Sequence, residues 1–323
     1  MDNSFDNNKN EEKDLFLYFS GDGATYFGIV ALNVVLTVLT LGLYYPWAKA
    51  AYRKYIWNET EFLGSRFVFN GTGREMFKGF IIAYVIIVGM YITLTTTSLF
   101  GVEAFFVIGF YFAFMLLIPF AIYGAWRYRV SRTSWRGIYF SFEGSFGEFL
   151  RLFLLHGLLS VLTFGIYSPW MRVKLQKFLF ENTRIGNLYL DFKADGGELL
   201  GINIGGYIFS VITFGLYLPI WVKNRFNFTI NNTFIDDGDQ AIRLHSTLKN
   251  GEAWSTLFIN GLLLFFTLGL AYPWTFMRKM DMYFNNVTIP GEFDYDNLAQ
   301  ASQMFDDATG DEMSDIFDLD LGF

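Results

Sequence analysis

The sequence predicts a polytopic α-helical membrane protein, with about six membrane spans in five sequence repeats and short extramembrane β-strands. Three observations lead there: the composition, a phrase that recurs along the chain, and short alternating runs after it. Hydrophobic residues make up 53% of the 323 residues and charged residues only 17%, whereas about 25% are charged in an ordinary soluble protein. A soluble globule could not cover so much apolar surface with so few charges.

Composition also excludes much chemistry. The chain has no Cys and only two His, His156 and His245, so thiol chemistry and local His-based metal motifs are excluded. It contains no phosphate loop, nucleophile elbow or dinucleotide fingerprint. We therefore expect no enzymatic activity, no catalytic residues, no cofactor and no metal site.

The charges are unevenly distributed. Residues 1–14 hold five acids and two Lys, and residues 292–323 hold ten acids and no Lys or Arg. The segment between them carries 22 bases and 16 acids. A slightly basic body suits a core beside anionic lipid head groups, so we expect the lipid bilayer, and no nucleic acid, as the main partner. The polar, acidic N-terminus lacks a basic signal-peptide start, so insertion is expected to use internal spans.

One phrase, T-[LF]-G-x-Y-x-P-W with small variations, occurs four times. A worn fifth copy centres on Pro119, with Trp126 displaced. The recurring residues are Thr40, Gly42, Tyr44, Pro46 and Trp47; Thr163, Gly165, Tyr167, Pro169 and Trp170; Thr213, Gly215, Tyr217, Pro219 and Trp221; and Thr267, Gly269, Pro273 and Trp274.

A second marker opens each unit, and its distance to the proline is nearly constant. These markers are Thr25, Glu75, Glu148, Glu198 and Glu252, and the distances are 21, 44, 21, 21 and 21 residues. The second unit has 23 extra residues, enough for about one more span. The fixed spacing indicates internal repeats.

Each unit contains the same elements in order. A glycine turn with an acidic or Thr residue opens a helix, and an apolar stretch runs to the phrase. Pro then interrupts the backbone, beside Trp and Tyr, which favour a bilayer interface. A basic, aromatic segment such as Lys49, Arg53 and Lys54 suits an interfacial helix with its cations toward lipid phosphates.

Each unit ends in a short run with period two, which is typical of a strand. The runs are Phe67 and Phe69; Ile138, Phe140 and Phe142; Leu188, Leu190 and Phe192; Ile242 and Leu244; and Phe293 and Tyr295.

A Thr stands fourteen residues after each of the first four prolines, with an Asn usually just before it. These residues are Thr60, Thr133, Thr183 and Thr233, with Thr288 one residue later in the last unit, and Asn58, Asn182, Asn232 and Asn286. Three sites, at Asn58, Asn231 (in place of Asn232) and Asn286, read as N-x-T glycosylation sequons. A recurring structural position explains them more simply.

The markers divide the chain into seven segments and six spans. The segments are an acidic tail at 1–14, repeat units at 15–78, 79–143 (with the extra span), 144–195, 196–248 and 249–298, and an acidic tail at 299–323. The spans are approximately 26–45, 79–98, 102–124, 150–167, 200–218 and 255–272.

With these motifs in place, the chain resembles the YjgN-like family, bacterial inner-membrane proteins grouped under a domain of unknown function. The likeness covers most of the chain from about Phe16 and includes the acidic ending Asp318-Leu-Asp-Leu-Gly-Phe323. Unit two departs from the pattern because it has lost the Thr, Gly and Tyr before Pro119. The resemblance implies a multi-pass protein of the bacterial inner membrane, and no substrate or reaction.

Two rules disagree about topology. If every span crosses once, one side receives 15 Lys and Arg and the other nine, which favours an outside N-terminus. The acidic, signal-free termini favour the cytoplasm instead, and the strand runs pair best if they all lie on one side. Re-entrant segments would reconcile these points, and we expect cytoplasmic termini.

Polar residues recur thirteen positions before the prolines, at Asn33, His156 and Asn260, with Gly206 in the fourth unit. In hydrocarbon such groups need hydrogen-bond partners. Interhelical hydrogen bonds explain them most simply. A polar pathway at the repeat interface is the alternative, in which His156 is the one group that titrates near neutral pH.

Two hypotheses for function stay open. The first is a transporter or channel-like protein for a small solute or ion, motivated by the repeats and these polar residues. The second is a non-transporting scaffold or sensor that acts through its acidic tails. The C-terminal tail mixes acids with apolar residues, so it is either a solvated tail or a segment that docks on the protein's basic surfaces or on a soluble partner.

Overall fold

The computed structural model describes residues 15–98, 103–236 and 241–289, which form ten helices and eleven strands. The helices are α1 (Gly23–Leu39), α2 (Tyr45–Asn58), α3 (Gly73–Ser98), α4 (Glu103–Ser131), α5 (Phe146–Leu162), α6 (Ser168–Glu181), α7 (Gly196–Ile212), α8 (Leu218–Asn231), α9 (Asn250–Phe266) and α10 (Tyr272–Phe284). The strands are β1 (Leu15–Phe19), β2 (Thr60–Phe62), β3 (Ser65–Phe69), β4 (Thr133–Trp135), β5 (Ile138–Phe142), β6 (Thr183–Ile185), β7 (Leu188–Phe192), β8 (Thr233–Asp236), β9 (Ala241–Arg243), β10 (His245–Ser246) and β11 (Val287–Ile289).

All eleven strands belong to one antiparallel sheet. Its order is β10-β11-β1-β2-β3-β4-β5-β6-β7-β8-β9, so β9 and β10 stand at opposite ends of the order. A single residue, Leu244, separates these two strands in the chain, and its N–H donates to Thr233 O at 2.9 Å. The chain itself therefore joins the two ends of the sheet.

The helices leave and re-enter the sheet at one end of its strands. Phe19, the last residue of β1, pairs with Thr60, the first residue of β2, on the other side of the α1–α2 hairpin. The same pairing recurs at Phe69 and Thr133, Phe142 and Thr183, and Phe192 and Thr233. The helical hairpins consequently all extend from the same end of the sheet.

The ten helices form a closed ring. Each contacts the next one along the chain, and α10 contacts α1. Local signals explain their starts, because Asp22, Ser145 and Asp195 accept backbone N–H bonds as N-caps of α1, α5 and α7. In α2, α6, α8 and α10 the proline lies in the first turn, where its missing N–H costs nothing.

The core has two main parts. One face of the sheet carries an apolar cluster that includes Phe62, Trp135 and Leu188, while Phe16 and Tyr18 on the opposite face of β1 are exposed. A second, mainly aromatic cluster, including Phe149 and Phe192, joins the sheet to α4–α8.

The predicted fold class is wrong. Among the residues that the structure describes, no helix combines the length and the hydropathy needed to cross a membrane. The predicted spans 26–45, 150–167, 200–218 and 255–272 each merge a 17-residue helix with the turn that follows it. The strands, expected to be a minor addition, build the sheet from which every hairpin extends.

The second unit and the basic segments also differ from expectation. Pro119 lies inside α4, which runs on to Ser131, because the phrase that would end the helix is missing there. In α2, Lys49 and Arg53 are buried and lie near the rings of Tyr45 and Phe69, so they do not face outward as an interfacial helix requires. Four of the five predicted runs lie at β3, β5, β7 and β9; Phe293 and Tyr295 lie outside the described residues.

Candidate functional site

The recurring phrase folds into the turn that joins the two helices of a hairpin. After α1, the Gly42 N–H donates to Thr37 O at 2.7 Å and the Leu41 N–H to Val38 O at 3.1 Å. This is the Schellman arrangement of a helix C-terminus. The same two bonds close the turns at Phe164-Gly165, Phe214-Gly215 and Leu268-Gly269.

The threonine of the phrase stabilises this turn with its hydroxyl group. Thr40 Oγ1 donates to Leu36 O at 2.8 Å and accepts the Tyr44 N–H at 3.0 Å. Thr163, Thr213 and Thr267 make the same pair of bonds. The fixed spacing of Thr, Gly and Pro in the sequence is therefore the spacing of one turn.

The residue between Thr and Gly is the most unusual position. Leu41, Phe164, Phe214 and Leu268 have φ between 50° and 52°, a left-handed conformation that costs a residue with a side chain about 1–2 kcal/mol. Their side chains are 82%, 99%, 98% and 92% exposed. We call these four residues the tip residues. Sequence reasoning missed them, although an apolar residue precedes Gly in every intact copy.

The tryptophan of the phrase packs on the glycine that opens the next hairpin. A Cβ at Gly196 would lie 2.5 Å from Trp170 Cγ, and one at Gly73 would lie 2.6 Å from Trp47 Cα. Across the ends of the ring, a Cβ at Gly23 would lie 2.8 Å from Trp274 Cγ. These three Trp–Gly contacts join neighbouring hairpins.

The fourth copy departs from this arrangement. Its tryptophan, Trp221, is displaced by one residue and packs on Gly206 of its own hairpin, where its Nε1 donates to Asn203 Oδ1 at 3.3 Å. Gly206 is the fourth member of the predicted polar register, and the indole ring explains why no side chain stands there.

The three predicted polar residues lie within their own hairpins. Asn33 is buried, and its Nδ2 donates to Ile29 O at 2.7 Å. Asn260 is also buried, and its Nδ2 donates to Thr275 O on α10 at 3.0 Å. The Asn260 Oδ1 has no hydrogen-bond partner among the described residues.

His156 is half-buried and pairs with the phrase of its own unit. Its Nδ1 lies 3.0 Å from Tyr167 Oη, and the two rings stack. Burial lowers the pKa of His156, and the nearby charge of Lys174 lowers it further. The structure therefore places Asn33, His156 and Asn260 in three separate hairpins and gives no contact that joins them.

A central cavity of about 310 Å³ lies where the sheet meets the helices. Leu17, Phe67, Phe140 and Leu190 line it from alternate strands, and Arg129 of α4 supplies its one charged lining residue. It is apolar, and its size falls within the range of small-molecule sites.

Two tryptophan–threonine pairs fix the wall of this cavity. Trp57 Nε1 donates to Thr133 Oγ1 and Trp126 Nε1 to Thr183 Oγ1, both at 3.0 Å. Each threonine also donates to the carbonyl four residues earlier, Arg129 O or Leu179 O. The recurring Thr thus joins helix end, strand start and cavity wall.

The asparagines before these threonines have structural partners. Asn182 and Asn232 donate to the carbonyls of Phe178 and Phe228 at 2.7 and 2.8 Å. Asn286 donates to Met282 O at 2.8 Å and to Glu252 Oε1 at 2.7 Å. These bonds give Asn182, Asn232 and Asn286, which is also a sequon residue, a structural role at the helix ends.

Fold and site define a class of protein, in which a closed ring of helical hairpins with exposed apolar tips extends from one end of an eleven-stranded sheet. The chain belongs to the family described as "Bacterial protein of unknown function (DUF898)", whose model matches residues 14–218 and 204–316. The resemblance predicted from the repeated phrase is confirmed.

The chain is similar to curated proteins named "Inner membrane protein YjgN". It is 31% identical over 131 residues to that of Salmonella typhimurium strain LT2, which covers 40% of this chain and 31% of the relative. It is 32% identical over 131 residues to that of Escherichia coli strain K12, with 41% and 32% covered. The matched segment thus spans about a third of these relatives' length. No solved structure matches the chain.

Proposed function

We propose that the chain is a protein of the bacterial inner membrane that enters the lipid through the tips of its helical hairpins. The observation that carries this proposal is the set of four tip residues, Leu41, Phe164, Phe214 and Leu268. Each combines a large exposed apolar side chain with a backbone conformation that favours glycine. Both features are unfavourable in water. Transfer of each of these side chains from water into hydrocarbon lowers the free energy by about 1.5–3 kcal/mol.

The surroundings of the tips support the same proposal. The last turns of α1, α5, α7 and α9 also expose apolar residues, such as Val38 and Leu39, Leu162, Ile212, and Phe265 and Phe266. Because all hairpins extend from one end of the sheet, the four tips form one apolar end of the molecule. Relatives named inner membrane proteins agree with a bilayer as its partner.

The test is membrane attachment of the full chain when all four tip residues are replaced by glycine. Phe164→Gly and its three equivalents remove the apolar contact and also relieve the left-handed backbone, so folding is preserved. We expect the quadruple variant to be released by alkaline carbonate while the unaltered chain is retained. Phe16→Ser with Tyr18→Ser, on the outer face of β1, is the matched control and should be retained. Equal retention of the quadruple variant would contradict the proposal.

Binding of a small apolar or amphiphilic molecule in the central cavity is a second candidate function. The cavity's apolar lining and its single cation, Arg129, favour this ligand class. It is also the feature that best supports the hypothesis of a transporter or channel-like protein, since Asn33, His156 and Asn260 do not meet.

The fluorescence of 1-anilinonaphthalene-8-sulfonate, an anionic apolar dye, tests this candidate. We expect Leu190→Trp, which fills the cavity, to abolish a saturable signal that Val68→Trp on the outer face leaves intact. Dye binding that is unchanged in Leu190→Trp would count against the cavity. The scaffold or sensor hypothesis instead concerns residues 1–14 and 299–323, which lie outside the described residues. The scaffold or sensor hypothesis would be favoured if deletion of both tails abolished the cellular role of the protein while dye binding stayed intact.

A further inference from the structure

We propose that Arg172, Arg225 and Lys279 form a binding site for a phosphate group inside the ring of helices. The three cations line one cavity of about 240 Å³, together with Tyr283 and the apolar side chains of Val222 and Ile230. The site is separate from the central cavity, and it does not depend on whether the tips enter a bilayer.

The position of the cavity follows from the order of the helices. Arg172 lies on α6, Arg225 on α8 and Lys279 on α10. These helices alternate with α7 and α9 around the ring, because α7 contacts α6 and α8, and α9 contacts α8 and α10. A cavity that all three line must therefore face the inside of the ring.

The three cations lack an acidic partner in the part of the chain that the structure describes. Among the residues that the structure describes, no carboxylate lies within salt-bridge distance of Arg172, Arg225 or Lys279, and no acid lines the cavity. Burial lowers the pKa of Arg225, which means that its charge is held there at a cost. Lys279 Nζ lies 5.7 Å from the centre of the Tyr283 ring, but a neutral ring does not neutralise the charge, so three half-buried like charges oppose folding unless an anion joins them.

The chemistry of the lining favours phosphate. Arginine offers paired donors that match the oxygens of phosphate, and lysine adds a point charge. Burial raises the pKa of Tyr283 to about 12, so its phenol keeps a proton that it can donate. The apolar side chains of Val222 and Ile230 can pack against the organic part of a phosphate ester. The phosphate group could therefore belong either to a phospholipid head group or to a free phosphate ion.

The experiment measures thermal unfolding of the full chain in a neutral detergent, with inorganic phosphate or with phosphatidylglycerol added at increasing concentration. We expect at least one of them to raise the unfolding midpoint. Arg225→Gln and Lys279→Gln should weaken this effect about tenfold in concentration, as expected when a charged contact is lost. The matched controls are Arg278→Gln and Lys174→Gln, which remove exposed cations from α10 and α6.

The outcomes separate the sources and the alternatives. A shift with phosphate identifies the free ion as a ligand, and a shift with phosphatidylglycerol alone identifies the head group. Without ligand, Arg225→Gln and Lys279→Gln should unfold no earlier than the unaltered chain, because repulsion is relieved; a lower midpoint would assign these cations a structural role and overturn the proposal. So would the absence of any shift in the unaltered chain, or a shift of equal size in all four variants.

Discussion

Replacement of Gly196 by Ala tests the contact that joins neighbouring hairpins. Gly196 is the first residue of α7, and the ring of Trp170 at the start of α6 lies directly against it. A Cβ there would lie 2.5 Å from Trp170 Cγ and 2.8 Å from the backbone Cα of Trp170. A flexible side chain could move away, but the Cα can move only if α6 shifts with it.

The expected cost follows from these distances. Overpacking a rigid contact costs about 1–3 kcal/mol. Alanine recovers up to about 1 kcal/mol relative to glycine in a helix interior, and less at the first helical residue. The net result should be a lower free energy of unfolding and an unfolding midpoint reduced by a few degrees.

Thermal unfolding in a neutral detergent measures this effect. Gly147→Ala is the matched control, because Gly147 is the second residue of α5 and a Cβ there would meet nothing within 4 Å; it should be neutral or slightly stabilising. In the Trp170→Ala background, Gly196→Ala should cost less, since the contacts with Trp170 Cγ and Cδ1 are then absent and only the one with Cα remains. Gly196→Ala with the stability of the unaltered chain would refute the proposed contact.

Two further substitutions test the threonine register and the histidine. Thr183→Val removes the buried hydroxyl that accepts from Nε1 of the half-buried Trp126, so chemical denaturation should show a loss of about 1–3 kcal/mol. A neutral result would contradict this, and Thr96→Val on an exposed surface is the control. Because burial and then Lys174 lower the pKa of His156, the unfolded chain binds its proton first. Stability should thus be full above pH about 6.5 and fall as the pH drops through that value toward the folded pKa. His156→Asn should be well tolerated and lack this component, and an unchanged pH profile of its unfolding midpoint would contradict the assignment.

The local signals in the sequence were the most informative ones. The spacing of Thr, Gly and Pro reflects a Schellman turn, and Thr60 and its equivalents in the next three units are the first residues of β2, β4, β6 and β8. Both are short-range features, because the bonds of Thr40 and Thr183 to their helices span four residues. Short-range patterns of this kind can be read from the sequence, and they predict where the helices end and the strands begin.

Composition misled the prediction of the fold class. An apolar helix followed by an apolar turn has the hydropathy of one longer span, so the boundary at Leu39 was not visible in the apolar count. Strands of three residues such as β2 are too short to show a period. The strands β9 and β10 lie at opposite ends of the sheet order although only Leu244 separates them in the chain, and no pattern in the sequence indicates that arrangement.

The same distinction between short-range patterns and long-range contacts applies to the candidate sites. The polar register of Asn33, His156 and Asn260 was visible because it recurs, yet each residue serves its own hairpin. Arg225 and Lys279 both lie six residues after their prolines, but Arg172 lies three residues after its own, and only the ring of helices brings all three to one cavity. Long-range assembly, which a repeat count does not specify, decides which residues meet.

The Trp–Gly contacts show that the recurring phrase carries assembly information as well as a turn. Where Trp directly follows Pro, at Trp47, Trp170 and Trp274, the hairpin that it faces opens with Gly. Where Trp is displaced, after Pro219 and Pro119, the next hairpin opens with Asn250 and Phe146, respectively. The first residue of a hairpin is thus glycine only where an indole ring needs the space. Because Trp274 faces Gly23, the last hairpin contacts the first through the same Trp–Gly pairing that joins the first hairpin to the second and the third to the fourth, and this pairing contributes to the closure of the ring.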